Sequence, residues 1–458
     1  MKDAAADTAA LDRAFADLAG VQPAPSRAER RAHLKALEGA VRDAAEEIAQ
    51  AIDADFGGRP RHETLLTEVA MVIGAARHAA GGLRRWMRPE RVALPVHLWP
   101  STARVTRVPL GLVGIIGPWN YPAQLTLVPL VAALAGGNRA IVHPSEHTPR
   151  TAEVVARIVA RAVPDRARVV TGDTQVARDL AARPLDGLFF TGSTATGRRV
   201  MAAAAENLVP VVLELGGKSP AILRPDADLE AAASSIMAAK LLNAGQTCVA
   251  PDYALVPREM LPRLVTALKT ATAALYPDPE GPDYAAIARP ADHDRLTGLL
   301  DGLDAVPLMA RAPAAPRMGA FAVIDPAPDH ALMREEIFGP ILPILPYDTP
   351  ETARAFVNAR PCPLALYVYG RDLDAARAEV AAMPSGGAVI NEAVIHVGVQ
   401  QLPFGGAGAS GMGAYHGAEG FRAFTRPRSV LTARPSLARL VRPPYGRNID
   451  RILKSLIR

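Results

Sequence analysis

With 458 residues, the chain exceeds what one hydrophobic core organises and predicts two or three domains. Hydrophobic residues make up 49% and charged residues 21%, which excludes intrinsic disorder. Two cysteines exclude a disulfide framework and point to a reducing compartment, with the cytoplasm as the expected location.

The net charge of +5 comes from arginines spread among acids, so no nucleic-acid-binding stripe is expected. The opening Met1-Lys2-Asp3, followed by alanines with Asp7 and Asp12, lacks the cationic start and apolar centre of a signal peptide. From Ser26, a good N-cap, to about Ala54, the apolar residues Leu34, Leu37, Val41, Ile48 and Ile52 recur at helical spacing. A second helical stretch runs from about Glu63 to Trp86. Between Leu94 and Val108 the helical period is lost, and the β-prone Val96, Leu98, Val105 and Val108 predict an excursion of strands.

Short apolar runs then alternate with helical segments. Leu112 to Ile116, Arg139 to Val142, Ala167 to Val170, Gly187 to Phe190 and Val211 to Leu215 are predicted strands. This alternation is the mark of βαβ units around a parallel sheet, and ligands of such sheets bind beyond the carboxyl ends of the strands. The apolar run Leu125 to Ala135 is interrupted by Thr126 and Pro129 and stops at Gly136-Gly137-Asn138. It predicts a buried helix, since a membrane span needs roughly 18 apolar residues or more.

Beyond Lys218 the alternation resumes with a helix from about Asp228 to Leu242, a strand near Tyr253 to Val256, and helices near Leu261 and His293. Strands near Leu342 to Leu345, Leu364 to Tyr369 and Ala388 to Ile390 complete a second α/β domain. Turns rich in Gly and Pro at 277–282 and 312–316 are surface loops within it. The tail from Leu437 to Arg458 sets Arg439, Arg442, Arg447, Arg451, Lys454 and Arg458 beside Ile449, Ile452, Leu453, Leu456 and Ile457. A basic amphipathic helix of this kind packs on a neighbouring domain or subunit, or lies on an anionic membrane.

Several motifs carry chemistry. Cys248, in Asn243-Ala244-Gly245-Gln246-Thr247-Cys248, is a nucleophile candidate if its setting lowers the thiol pKa; otherwise it is a small buried hydrophobe. Phe190-Thr191-Gly192-Ser193-Thr194-Ala195-Thr196-Gly197 follows a strand and opens a helix, which suits a phosphate and equally an ordinary turn. In Gly117-Pro118-Trp119-Asn120-Tyr121-Pro122 the Asn120 amide can serve an oxyanion or an Asx turn. Glu214, ending an apolar run before Leu215-Gly216-Gly217-Lys218, is placed for desolvation and general-base work. Glu336-Ile337-Phe338-Gly339-Pro340 supplies a second loop carboxylate beside an aromatic, and Pro403-Phe404-Gly405-Gly406 with the glycines up to Gly413 a flexible wall.

Taken together, the set, its order and its spacing resemble the aldehyde dehydrogenase superfamily from the first helices to about Val430. The surroundings of Cys248, Leu402-Pro403-Phe404-Gly405-Gly406 and Ser410-Gly411-Met412-Gly413-Ala414-Tyr415-His416-Gly417 are most similar to class 3 enzymes, and within them to the bacterial coniferyl aldehyde dehydrogenase branch. The resemblance implies an α/β fold with a Rossmann-type cofactor domain (1–90 and 109–217), a catalytic domain (218–402), an arm of strands for oligomerisation (91–108 and 403–430) and a tail (431–458). It also implies a homodimer, no integral membrane segment and no metal.

The activity it implies is oxidation of an aromatic or medium-chain aliphatic aldehyde to its acid. Cys248 attacks the carbonyl carbon, Asn120 and the Cys248 amide hold the oxyanion, hydride leaves for NAD or NADP, and Glu214 activates water against the thioester. The resemblance assigns the cofactor to Trp119, His143, Ser145, Glu146, Gly192, Ser193, Gly197, Leu215, Glu336 and Phe338.

One position departs. The family usually has a lysine where this chain has His143, with a glutamate three residues on, here Glu146. Glu146 disfavours a 2′-phosphate, which favours NAD, and the loss of fixed charge at His143 predicts weaker cofactor binding. Cys362, before Pro363, is expected to be a buried structural cysteine, and His396 stands near the substrate wall. Rival functions are a coenzyme A-acylating enzyme, disfavoured by the presence of Glu214, and a binding or structural homologue impaired at His143.

Overall fold

The structure is a computed structural model and describes residues 4–20, 23–436, 443–445 and 449–457. Its strands are β1 (Glu90–Val92), β2 (Thr102–Pro109), β3 (Leu112–Ile116), β4 (Arg139–His143), β5 (Ala167–Val169), β6 (Gly187–Gly192) and β7 (Val211–Leu215). They are followed by β8 (Pro220–Leu223), β9 (Tyr253–Pro257), β10 (Ala305–Pro307), β11 (Phe321–Ile324), β12 (Ile341–Tyr347), β13 (Ala365–Tyr369), β14 (Gly387–Ile390), β15 (Gly411–Met412) and β16 (Thr425–Thr432).

The first sheet has the order β5-β4-β3-β6-β7-β15, parallel except for β15. The chain starts at β3, winds out to β5, then returns to the other side of β3. The strand order therefore reverses between β3 and β6, and a crevice opens there beyond their carboxyl ends. The second sheet runs β10-β11-β12-β9-β8-β13-β14 and is parallel apart from β10. Its strands β8, β9 and β13 are buried throughout, as expected when helices cover both faces.

Local chemistry explains the helices that flank the crevice. Ser26 caps the Arg27–Asp43 helix in a reciprocal capping box with Glu29, and a break at Ala44 separates it from the Ala45–Phe56 helix. Between Arg61 and Trp86 the helix widens into a π segment at Leu65–Val69, which turns Glu68 fully inward. The Gln124–Gly136 helix is buried at every residue, which is why its sequence is apolar all round, and it ends at left-handed Gly137.

Three expectations need correction. The stretch from Leu94 is not strand throughout: Val96–Leu98 is a 3-10 turn between Pro95 and Pro100, which lack ladder donors, and β2 starts only at Thr102. The arm sheet is β1-β2-β16, so of the expected 403–430 only the part from Thr425 onward contributes a strand. The preceding glycine-rich loop instead folds on itself and places β15 against β7, and Gly417–Ala423 is a helix. Close packing forces this, since a β-carbon on Gly406 would lie 2.1 Å from the Ser410 carbonyl oxygen. Finally, the arginines are less dispersed than the sequence suggests, because Arg85, Arg88, Arg91, Arg104, Arg107 and Arg422 line one groove beside the arm.

The alanine-rich start, for which the sequence predicts no element, is a helix, Ala4–Leu18, that buries Leu11, Ala14 and Leu18. Ile449–Ile457 is helical, whereas Arg439, Arg442, Arg447 and Arg458 of the predicted basic tail lie outside the described residues. Among the described residues no helix is long and apolar enough to cross a membrane.

Candidate active site

A cavity of about 410 Å³ lies where the crevice of the first sheet faces the loops of the second domain, and Cys248, Glu214, Asn120 and Glu336 all line it. Cys248 arrives on a sharply turned segment. Asn243, Ala244 and Gly245 have φ values of 52°, 51° and 79°, a left-handed run that costs non-glycine residues roughly 1–2 kcal/mol each. Gly245 admits no side chain, because a β-carbon there would lie 2.3 Å from the Gly339 carbonyl oxygen.

Gln246, fully buried, fixes this turn from within. Its Nε2 donates to the carbonyls of Asn243 and Ala286 at 2.9 Å, and its Oε1 accepts from the Ala288 amide at 2.9 Å. Asn120 reaches across from the end of β3, and its Nδ2 donates to the Gln246 carbonyl at 3.0 Å. One amide hydrogen of Asn120 therefore remains uncommitted on a residue that lines the cavity.

The half-buried Cys248 thiol is pushed well above its ordinary pKa, first by burial and then by the negative charges of Glu336 and Glu214. The sequence reading asked for a setting that lowers it. These surroundings do the opposite and hold the group as S–H, so it acts only when a base takes its proton.

Glu214, at the end of β7, is 3% exposed, and neither carboxylate oxygen has a hydrogen-bond partner. Burial raises its pKa well above the usual carboxylate range. The Glu336 residue is partly exposed, but its carboxylate is buried, and burial, followed by the charge of Asp252, raises its pKa to about 8. Lys218 anchors the loop that carries it: Nζ pairs with Asp252 and donates to the carbonyls of Leu332 at 2.7 Å and Glu335 at 2.9 Å. Asp252 in turn accepts from the Ile337 amide at 3.0 Å, so the residues on both sides of Glu336 are tied down.

Sequence reasoning passed over Lys218 and Asp252, although one follows Gly216-Gly217 directly and the other stands four residues after Cys248. It also missed Arg59, which is 2% exposed, donates to the Asn120 carbonyl at 2.9 Å and sits over the Phe56 and Tyr121 rings. Its partner Glu63 lies one helical turn on, and the nearby Glu68 accepts from the Ala123 and Gln124 amides ahead of the buried helix. The i,i+4 spacing of Arg59 and Glu63 was the available signal.

The rest of the cavity suits a dinucleotide. Ser193 caps the Thr194–Ala205 helix by accepting from the Thr196 amide at 3.3 Å, leaving a helix N-terminus with Gly192 and Ser193 on the cavity. Gly197 does not line the cavity. It lets this helix close on β7, since a β-carbon there would meet Leu215 at 2.6 Å, and Leu215 itself lines the cavity. Trp119 packs edge-on to Phe338 at 5.5 Å, with the Arg289 guanidinium 4.8 Å from its ring. At the other end stand His143, Ser145 and Glu146, whose Oε1 accepts from Thr174 Oγ1 at 2.8 Å. Two flat apolar walls, a helix N-terminus and a carboxylate beyond the second strand match the nicotinamide, pyrophosphate and ribose of NAD or NADP.

Two residues fall elsewhere. His396 is buried behind the Phe404 wall, with its ring centroid 6.0 Å from that of Phe404 and both nitrogens unpartnered. Cys362 is not buried, as expected from its apolar neighbours, but half-buried in a separate cleft shared with Lys218 and Arg360.

The aldehyde dehydrogenase family model matches residues 2–430. A probable coniferyl aldehyde dehydrogenase of Pseudomonas aeruginosa is 42% identical over 443 residues, covering 95% of this chain and 93% of the relative. The structure of Staphylococcus aureus AldH in its substrate-bound state superposes with a TM-score of 0.90 at 34% identity, covering all of both chains. An aldehyde dehydrogenase of Mycobacterium tuberculosis complexed with NAD+ gives 0.85 at 29% identity, over 95% of this chain and 91% of that one.

Proposed function

The chain belongs to the aldehyde dehydrogenase family and is an NAD(P)-dependent aldehyde oxidoreductase, and on that premise we propose that it oxidises an aromatic aldehyde of the coniferyl type through Cys248, preferring NAD. The observation that carries the reading is the convergence of Cys248, Asn120, Glu214 and Glu336 on one cavity. The likeness to the Pseudomonas aeruginosa relative and the aromatic side chains Phe404 and Tyr415 on the cavity support a flat substrate. Glu146 supports NAD over NADP, because a carboxylate repels a 2′-phosphate.

On this reading the Cys248 sulfur adds to the aldehyde carbon as its proton is lost to solvent through the cavity that Cys248 lines, and Glu214, whose charge burial disfavours, is kept as the base for the later water. The uncommitted amide hydrogen of Asn120 and the Cys248 amide stabilise the oxyanion. The dinucleotide, when bound, supplies the acceptor for the hydride, and the bond to Cys248 becomes a thioester. Glu214 then takes a proton from water, the hydroxide adds to the thioester carbon, and the acid leaves as Glu214 returns that proton to the sulfur.

We extend the proposal to a cytoplasmic homodimer. Supporting it, the arm leaves Val92, Val96, Trp99 and Leu431 exposed, and Ile395, Val399 and Leu402 are exposed just beyond the edge strand β14.

The test is a panel of aromatic and aliphatic aldehydes with each cofactor, following NADH or NADPH absorbance and identifying the product. The expected result is free acid, fastest with an aromatic aldehyde and NAD, and no turnover in Cys248→Ala. No reduction of either cofactor across the panel, or acyl-CoA as the product, would overturn the reading.

A further inference from the structure

His143 ends β4, the strand next to β3 in the first sheet, at the place where folds of this order receive the ribose hydroxyls of a dinucleotide. It is 1% exposed and lines the cavity beside Ser145 and Glu146. Its Nδ1 lies 2.9 Å from the Val170 carbonyl oxygen. A carbonyl only accepts, so that nitrogen carries the ring hydrogen. The other nitrogen, Nε2, is buried and has no protein partner.

Burial lowers the ring's pKa, which keeps it neutral near pH 7 and leaves Nε2 as a bare lone pair. A lysine at this position could only donate, whereas His143 held in this way can only accept. Glu146 is the second acceptor. Burial works against its charge, but the hydrogen bond from Thr174 and neighbouring groups outweigh it, and the pKa lies below the usual value.

We propose that His143 Nε2 and the Glu146 carboxylate form a paired acceptor, which takes the adenosine ribose of NAD through two hydroxyls that both donate and rejects a 2′-phosphate. This inference rests on the dinucleotide reading above and revises the expectation for His143. Its effect falls on which hydroxyl pattern is admitted, not on a general weakening of binding. A 2′-phosphate above pH 7 has no hydrogen to give to one acceptor and meets the like charge of the other.

The test is calorimetric titration of the full chain with NAD+, NADP+, 2′-deoxy-NAD+ and 3′-deoxy-NAD+, at about pH 8, where the phosphate is a dianion. Each deoxy analogue should bind the unaltered protein about tenfold more weakly than NAD+. In His143→Leu one of the two penalties should vanish, and in His143→Gln, which keeps an acceptor, it should persist. His143→Lys should tighten NADP+ about tenfold or more. Equal penalties in His143→Leu and the unaltered protein, or no gain for NADP+ in His143→Lys, would overturn the inference while leaving the dehydrogenase reading intact. No binding of any dinucleotide to the unaltered protein would overturn both.

Discussion

A β-carbon on Gly216 would lie 1.9 Å from Oε2 of Glu336, so the carboxylate occupies the space that any other residue at Gly216 would fill. Gly216→Ala is therefore expected to push Glu336 out of the cavity. On the reading that Glu336 holds the cofactor, kcat should fall by roughly 10²-fold, the scale of a misplacement near 1 Å. The melting temperature should change by only a few degrees, because no core side chain is lost. Steady-state kinetics beside a thermal melt checks this; unchanged kcat would show that the position of Glu336 does not matter.

The Lys218–Asp252 pair is largely buried, with side chains 12% and 5% exposed, and each partner holds backbone on one side of Glu336. Asp252→Ala leaves the ammonium without its partner and frees the Ile337 amide. The expected loss is about 3–5 kcal/mol of unfolding free energy, measured by denaturant titration. A loss within about 0.5 kcal/mol, as for an ordinary surface change, would contradict it.

The pKa of Glu336, raised to about 8, gives stability a definite pH slope. A carboxyl raised above its unfolded value keeps its proton when folded after the unfolded chain has lost it, so its contribution falls as pH rises from about 4.5 toward 8. His396 and His416, lowered to about 4 by burial, act oppositely, but only below their ordinary pKa of 6.5. Between pH 6.5 and 8 these histidines no longer contribute, while the buried Glu214, also raised, slopes stability the same way as Glu336. There the unaltered protein should lose stability as pH rises, and Glu336→Gln should make the slope shallower. An equal slope in the variant, measured by melts across the window, would refute the assignment.

Much of the cofactor half was legible because its physics is local. The predicted strand Val211 to Leu215, apolar but for Glu214, became β7 with those bounds, and Ser26 announced a helix start that the structure keeps. The members of the cavity were legible as motifs at strand ends. What could not be read were contacts made across the fold. Lys218 gains meaning from Asp252 and from carbonyls more than a hundred positions away, and the raised thiol of Cys248 from its burial and from Glu336 and Glu214 closing round it. The glycines of 405–413 looked like arm or wall alike, because their role lies in backbone contacts that a sequence does not display.

The exposed apolar residues on the arm and beyond β14 predict an interface. Trp99→Glu with Leu431→Glu places two charges among 60% and 55% exposed hydrophobics, at no cost to the monomer core. Light scattering after size exclusion should show a dimer for the unaltered protein and a monomer for the double variant. An unchanged mass in the double variant would remove the arm from the interface.

The proposed division of labour between Cys248 and Glu214 is tested most directly by rapid mixing of Glu214→Gln with an aromatic aldehyde and NAD. Without its base for the water, this variant should release a burst of about one NADH per active site and then turn over slowly, with the acyl group retained on Cys248. Full steady-state turnover by Glu214→Gln, with no burst, would contradict the account at its centre.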